Sequence, residues 1–75
     1  GSAPAGDIGE ARAKEAAMSH AGVAEADIRD YKIERDTDDG IGVYEIEFKV
    51  GGYEYDYEVK AADGAILKNQ KEIDD

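Results

Sequence analysis

Two periods of apolar residues divide this chain into a helical part and a part made of strands. Residues 8–21 carry alanines and a lone methionine at helical rather than alternating spacing. The positions that fall near one face of this segment are Ala13, Ala16, Ala17, His20 and Ala21. Gly22 follows at the position where a left-handed residue commonly closes a helix. The pattern therefore predicts one helix that ends at Gly22.

The start of this helix is signalled in two ways, and the sequence leaves both open. Asp7 with Glu10 three residues later is typical of a capping box, in which two side chains satisfy N–H groups at the helix start. Alternatively, Gly9 is the cap and Ile8 reaches forward to Ala13 as a hydrophobic staple. Either start places Glu10 in the first turn, where a negative charge suits the helix dipole.

After Gly22 the period of the apolar residues changes. Residues 23–27 are expected to form a single extra turn. The stretch "IRDYKIERD", residues 28–36, sets Tyr31 and Ile33 on one side of a strand. The composition of "TDDGIG", residues 37–42, predicts a turn before the next strand.

The strongest strand signal lies in "VYEIEFKV", residues 43–50. Its residues alternate between the two faces of the strand. One face carries Tyr44, Ile46, Phe48 and Val50, and the other carries Val43, Glu45, Glu47 and Lys49. A Gly51-Gly52 pair follows and predicts a two-residue hairpin. The following stretch, "YEYDYEVK", residues 53–60, alternates in the same way.

This hairpin implies a register that the pattern itself supports. The apolar face then pairs Val50 with Tyr53, Phe48 with Tyr55, Ile46 with Tyr57 and Tyr44 with Val59. A slip of one residue would remove every one of these apolar pairs. A second tight turn at residues 61–64 leads to a shorter strand around residues 66–70, and residues 71–75 are expected to fray.

These elements predict an α+β fold with the order α-β-β-β-β. One N-terminal α-helix packs on a three- to four-stranded antiparallel β-sheet, because elements with a single apolar face bury those faces against one another. The helix contributes mainly alanines, so the bulk of the core comes from the sheet. Buried tyrosines need partners for their hydroxyl groups, which we expect near the edges of the helix.

Length and composition limit the classes of function. The 75 residues suit one small domain over residues 7–75, preceded by a small-residue linker over residues 1–6. Gly1-Ser2 is typical of a remnant of expression cloning, and we expect a longer parent protein. The net charge of -10 argues against nucleic acid and anionic membranes as partners and favours a monomer. The chain has no cysteine and no apolar run long enough for membrane insertion.

Candidate catalytic and metal-binding residues are few, and the sequence predicts a protein that is not an enzyme and uses no cofactor. His20 is the only histidine, and its neighbour Ser19 does not face it on a helix. "DTDDGIG", residues 36–42, resembles part of a calcium loop, but Ile41 stands where an EF-hand needs glycine. We therefore interpret this stretch as an acidic turn and assign no catalytic or metal residues.

The predicted register leaves like charges opposite each other on the outward face of the hairpin. Glu47 faces Asp56 and Glu45 faces Glu58, an arrangement that costs free energy unless water and salt screen it. One interpretation is that these exposed acids are simply tolerated. The alternatives are a basic partner surface, a loosely held cation or, least favoured, acid/base chemistry on an open face. The candidate partner-binding residues are Glu45, Glu47, Glu54, Asp56 and Glu58.

The order of these motifs resembles the PepSY domain family. "IGEARAKEAAMSHAGV", residues 8–23, and "VYEIEFKVGGYEYDYEVKAADGAIL", residues 43–67, are similar to its helix ending in Ala-Gly-Val, its Val-Tyr-Glu-Ile-Glu-Phe strand and its tyrosine-rich strand. The resemblance covers nearly the whole predicted fold. Gly9, Lys60 and Asp63 depart from residues common in the family.

This resemblance implies a secreted or cell-envelope domain that inhibits or regulates a peptidase. The family occurs in propeptides of thermolysin-like metallopeptidases and in other exported bacterial proteins, so a peptidase of that class is the implied partner. The alternative is a structural or spacer module of a larger exported protein, with no partner of its own. Weak cation binding by the acidic sheet face is a further alternative.

Overall fold

A computed structural model describes residues 6–74 of the chain as one helix followed by four strands. The elements are helix α1 (Gly9–Ala21), a 3₁₀ turn (Glu25–Asp27) and strands β1 (Arg29–Asp38), β2 (Ile41–Val50), β3 (Tyr53–Lys60) and β4 (Ile66–Ile73). The strands form one antiparallel sheet in the order β1-β2-β3-β4. The predicted α+β class and element order are confirmed. The predicted linker over residues 1–6 lies outside the described residues except for Gly6.

Helix α1 begins and ends close to the predicted positions. Gly22 closes it with φ of +72°, and the Gly22 N–H donates to the carbonyl of Met18 at 2.9 Å. At the start, the Asp7 carboxylate accepts a hydrogen bond from the Gly9 N–H at 2.9 Å. The predicted capping box is not formed among the described residues, because Asp7 bonds to the Gly9 N–H and not to that of Glu10, and Glu10 makes no side-chain hydrogen bond. The extra turn predicted at residues 23–27 is the 3₁₀ turn.

The strands are longer than the sequence predicted at two places. β1 and β2 run into residues 37–42 and leave a turn of only Asp39 and Gly40, whose φ angles are +51° and +78°. An Asp-Gly pair adopts these positive angles readily, which allows the tight turn. Residues 71–73 also belong to a strand, because β4 continues until Ile73 lies opposite Tyr53. The prediction that this segment frays was wrong for those residues.

The β2–β3 register is the predicted one along its whole length. The core lies between α1 and the two central strands, where Ala13 and Ala17 are fully buried. Its larger members are Tyr44, Ile46, Phe48, Tyr55, Tyr57 and Val59. Because the buried helix positions are alanines, the helix backbone lies close to these larger side chains.

The three tyrosines of β3, called here the tyrosine stripe, differ in burial. Tyr55 and Tyr57 are buried, whereas Tyr53 is 43% exposed. The Tyr53 ring is covered by Lys71, whose Nζ lies 4.2 Å from the ring centroid, and its cross-strand partner Ile73 is itself exposed. The first tyrosine of the stripe therefore lies at the margin of the core.

Polar partners receive the tyrosine hydroxyls where they emerge from the core. The Tyr44 hydroxyl donates to Asp7 Oδ1 at 2.6 Å. The Tyr57 hydroxyl lies 2.9 Å from Nδ1 of His20, which also packs edge-on against the Tyr57 ring. The expectation that the hydroxyls lie at the edges of the helix is confirmed for these two residues.

Candidate functional site

The sheet face opposite the helix, called here the outer face, carries the five acids singled out from the sequence. Alternation along β2 and β3 turns these side chains away from the core. They are Glu45, Glu47, Glu54, Asp56 and Glu58, called here the acidic strip. The structure brings them together as the sequence predicted, with Glu47 opposite Asp56 and Glu45 opposite Glu58.

Like charges continue onto the two outer strands, which the sequence analysis did not foresee. Glu34 of β1 lies opposite Glu45, and Glu72 of β4 lies opposite Glu54. The strip crosses three rows of cross-strand neighbours on the outer face, and each of these rows contains at least two adjacent acids. The Asp39-Gly40 turn was the signal that could have fixed the β1 register and revealed Glu34 in advance.

Within the described part of the chain, no member of the acidic strip forms an ion pair. Lys49, which faces Glu54 in the register, instead has its Nζ 3.7 Å from Asp30 and 3.5 Å from Asp74. Arg29 joins the same group through Asp74 and through a bond to the carbonyl of Gly51. Lys49 and Arg29 are thus held by other acids. Lys32 lies opposite Glu47 and Lys68 lies opposite Glu58, but neither comes within ion-pair distance of the strip among the described residues.

Three carboxylates of the strip lie especially close to one another. Oxygen atoms of Glu47, Glu54 and Asp56 all come within 4.8 Å of each other, and the three residues are half-buried. Carboxylate oxygens are the ligands that calcium prefers, but calcium takes six to eight of them. Lys49 stands opposite Glu54, where its positive charge opposes cation binding. The group could therefore hold a hard cation only weakly.

Proton affinity is raised at the other end of the strip. Hydrogen bonding with Asp36 raises the pKa of Glu45 above its ordinary value, and desolvation and the negative charges of Asp36, Glu58 and Glu34 act in the same direction. This pKa shift is the electrostatic signature of crowded acids. The ionised form of Glu45 is therefore less favourable in the fold than in water.

The strip borders a depression beside an irregularity in β1. The β1–β2 register shifts between Arg29 and Lys32, and Asp30 adopts a positive φ of +53° there. The resulting depression has a volume of about 400 Å³, and Glu47 and Glu54 form part of its wall. Asp30, Lys32 and Lys49 line it too, so a partner side chain would meet both carboxylates and ammonium groups in this recess.

Val43 is an exception on the outer face. Alternation places it with the acids, yet it is only 1% exposed. Its cross-strand neighbours are Asp36 and Lys60. The acidic strip is therefore bounded at this end by an apolar side chain.

The other candidates of the sequence analysis fall into structural roles. His20 fastens the end of the helix to Tyr57 of the sheet, and Ser19 beside it is exposed. In the calcium-like stretch of residues 36–42, Asp36 and Asp38 lie on β1 at the hairpin, and Glu47, which would stand at the twelfth position of such a loop, lies further along the neighbouring strand. This hairpin replaces the helix-flanked loop that an EF-hand requires.

None of the helices in residues 6–74 combines the length and apolarity needed to cross a bilayer.

The chain is similar to a curated protein of Streptococcus pyogenes serotype M6, described as uncharacterized, with 38% identity over 65 residues. The match covers 87% of this chain and 50% of the relative, so the chain spans about half the length of the protein it matches. No protein-family model matches the chain, and no solved structure matches it.

Proposed function

We propose that this domain is a non-enzymatic protein-binding module whose acidic strip docks on a basic surface of its partner. The observation that carries the proposal is the absence of ion pairs for all five strip carboxylates within residues 6–74, on a sheet face that the helix leaves uncovered. A fold gains nothing from placing like charges opposite each other. A cationic partner would turn this cost into a favourable interaction.

Electrostatics also suits such a module kinetically. A face of one sign of charge steers an oppositely charged partner toward it and raises the association rate. In the recess, an arginine or lysine of the partner would contact Glu47 and Glu54 next to Lys32 and Lys49, which line it as well. The half-buried acids of β3 would contribute more than fully exposed ones, because salt screens them less.

The partner class that we propose is a thermolysin-like metallopeptidase, which the domain would inhibit or regulate in the cell envelope or outside the cell. This choice rests on the resemblance to the PepSY domain family. The geometry contributes only the chemistry of the contact, since one fold serves many functions.

The test is a peptidase assay with the purified chain. Hydrolysis of a peptide substrate by several thermolysin-like peptidases is followed while the domain is raised to about 100 µM, the range of a weak specific complex. We expect slower hydrolysis by at least one of them. Unchanged rates for all of them would reject the peptidase as partner and leave the spacer module as the better description.

Two charge-reversal variants distinguish the effect of the acidic strip on inhibition from the effect of the net charge. Glu47→Lys with Asp56→Lys changes the strip, whereas Glu15→Lys with Asp27→Lys makes the same change of charge at exposed positions on the helix side. We expect inhibition to weaken by about tenfold or more in the first variant and to stay near the original value in the second. Equal effects would mean that overall charge, and not the strip, drives association.

A second candidate function, weak cation binding, is favoured by the close approach of Glu47, Glu54 and Asp56. Calcium titration followed by amide resonances would then shift these three residues first. Glu54→Gln should abolish the shift, while Glu15→Gln should leave it intact. A calcium concentration of about 10 mM exceeds the dissociation constants of weak extracellular calcium sites. If neither the spectra nor the melting temperature changes at this concentration, calcium binding is excluded.

A further inference from the structure

Strand β4 is an open edge of the sheet. It pairs with β3 on one side, and its residues 67–73 are all exposed. The helix packs on the central strands, so two apolar side chains of β4 remain in water: Leu67 is 46% exposed and Ile73 is 73% exposed. An edge of this length presents backbone N–H and C=O groups that can pair with another strand.

The sequence of β4 is complementary to itself in an antiparallel arrangement. When Gln70 is placed opposite Gln70 of a second copy, Lys68 meets Glu72 and Leu67 meets Ile73. Asn69 then meets Lys71. Two-fold symmetry repeats each of these contacts, so the register supplies two opposite-charge pairs and two apolar pairs.

The neighbouring registers that keep the two sheet faces aligned lack this complementarity. Centring on Asn69 sets Leu67 against Lys71, and centring on Lys71 sets this lysine against itself. In both, Glu72 and Lys68 no longer face each other. Only the register centred on Gln70 satisfies charge and apolar contact together.

The opposite edge of the sheet is less suited to pairing. Asp30 of β1, with φ of +53°, sits in an irregularity that interrupts its regular pairing, and such bulges protect natural edges. Symmetric pairing of β1 around Ile33 would also place Asp30 against Asp36 twice, which offsets the two contacts that it gives between Lys32 and Glu34. Strand β4 has a register shift of its own between Ile66 and Lys68, next to Leu67, and pairs without interruption from Lys68 to Ile73.

We propose that two copies of this chain associate through their β4 edges into a two-fold dimer, with one antiparallel sheet continuous across both copies and centred on Gln70. The occupant of the exposed β4 edge is thus a second copy of the chain. The acidic strip, on β2 and β3, stays open on both copies. This association does not depend on the proposed peptidase partner.

The net charge of -10 per chain opposes association and led to the expectation of a monomer. That repulsion is screened beyond about 8 Å at physiological ionic strength, whereas the edge contacts act at hydrogen-bond distance. One strand edge is nevertheless a small interface. We therefore expect dissociation constants in the range of about 10 µM to 1 mM.

Sedimentation equilibrium of the full chain at about 0.15 M salt, over that concentration range, tests the proposal. We expect a reversible monomer–dimer equilibrium, with amide hydrogen exchange in β4 slowing as the concentration rises. A monomer throughout the range overturns the proposal and leaves the edge to a strand from another protein. Dimerisation that protects amides of β1 or the helix, and not β4, overturns it as well.

Charge exchange at Lys68 and Glu72 gives the sharper test. Lys68→Glu alone and Glu72→Lys alone each place like charges together twice, so each should weaken the dimer by about tenfold or more. Combining the two substitutions restores both opposite-charge pairs and should restore the dimer. Mixing the two single variants should give a heterodimer, since one then carries two acids and the other two lysines at these positions.

The melting temperature of each variant is measured to check that it is folded. Dimer dissociation constants are then compared among folded variants alone. Lys68 also faces Glu58 within the same sheet, so Lys68→Glu is expected to lose some stability as a monomer. The combined variant and the mixture do not depend on that loss. Association that is equal in all the variants would refute the centred register.

Discussion

The Asp7 carboxylate accepts a hydrogen bond from the Tyr44 hydroxyl at 2.6 Å, which joins the segment that leads into helix α1 to strand β2. The same carboxylate accepts the Gly9 N–H and lies 3.1 Å from Nε of Arg35. The Ile8 N–H donates to the carbonyl of Ala61 at 2.8 Å. The buried helix positions are small alanines, which bury little apolar surface. The polar contacts at the helix start therefore matter for holding the helix on the sheet.

Replacing Tyr44 by phenylalanine should therefore loosen the helix start. Tyr44→Phe keeps the buried ring but removes the donor to Asp7, and the loss of one such bond corresponds to a melting temperature lower by about 4–8 °C. Thermal unfolding followed by circular dichroism measures the change. Tyr53→Phe is the matched control, because the Tyr53 side chain is 43% exposed, and it should change little. Equal shifts in the two variants would refute the role given to the Tyr44 hydroxyl.

The dependence of stability on pH should have a maximum. The bond from Tyr44, followed by the Gly9 N–H, holds the pKa of Asp7 below its ordinary value, so this contribution to stability is full above about pH 4 and is lost as pH falls through the lowered pKa. The pKa of Glu45 is raised, so stability increases as pH falls from neutral through that value. We expect the highest melting temperature near about pH 4 to 5.

Two variants assign the two sides of this maximum. Asp7→Asn should flatten the fall in melting temperature on the acid side, because no proton can then be taken up at that position. Glu45→Gln should reduce the rise between neutral pH and the maximum. A melting temperature that falls steadily from pH 7 to about pH 4 in the original chain would contradict the assignment of Glu45, and one that keeps rising below about pH 4 would contradict that of Asp7.

Close approach of the helix to the sheet makes its buried alanines sensitive to size. Ala17 is fully buried, so Ala17→Leu should lower the free energy of unfolding by about 1–3 kcal/mol through overpacking. Ala11→Leu makes the same change at an exposed position of the same helix and should stay within about 0.5 kcal/mol. Urea unfolding measures both. A tolerated Ala17→Leu would mean that the helix can move away from the sheet at little cost.

The acidic strip should cost stability in the isolated domain. Asp56→Lys turns the repulsive pair with Glu47 into an attractive one and should raise the free energy of unfolding by roughly 0.2–1 kcal/mol. Asp27→Lys changes the net charge equally, at an exposed position without a cross-strand partner. The difference between the two variants in urea unfolding isolates the local pair. If it is zero, water and salt already screen the strip.

Much of the fold follows from the sequence because its periods are unambiguous. Alternation over residues 43–60 with a two-glycine hairpin admits only one register that pairs apolar residues, and this register is the one found. The acidic strip was predictable for the same reason. The ends of strands were less so: Ile73 is held in β4 by pairing with Tyr53, a partner distant in sequence that no local pattern reveals.

Local periodicity by itself thus determined the helix, the central hairpin and the side of the sheet on which each acid of the acidic strip lies. Only the tertiary structure decided which charges remain unpaired, because Lys49 is drawn to Asp30 and Asp74, which come from distant parts of the chain. The tertiary structure also decided that Asp7 accepts a hydrogen bond from Tyr44 in addition to the one at the helix start. Side-chain contacts of this kind depend on distances across elements, and a one-dimensional pattern does not contain them.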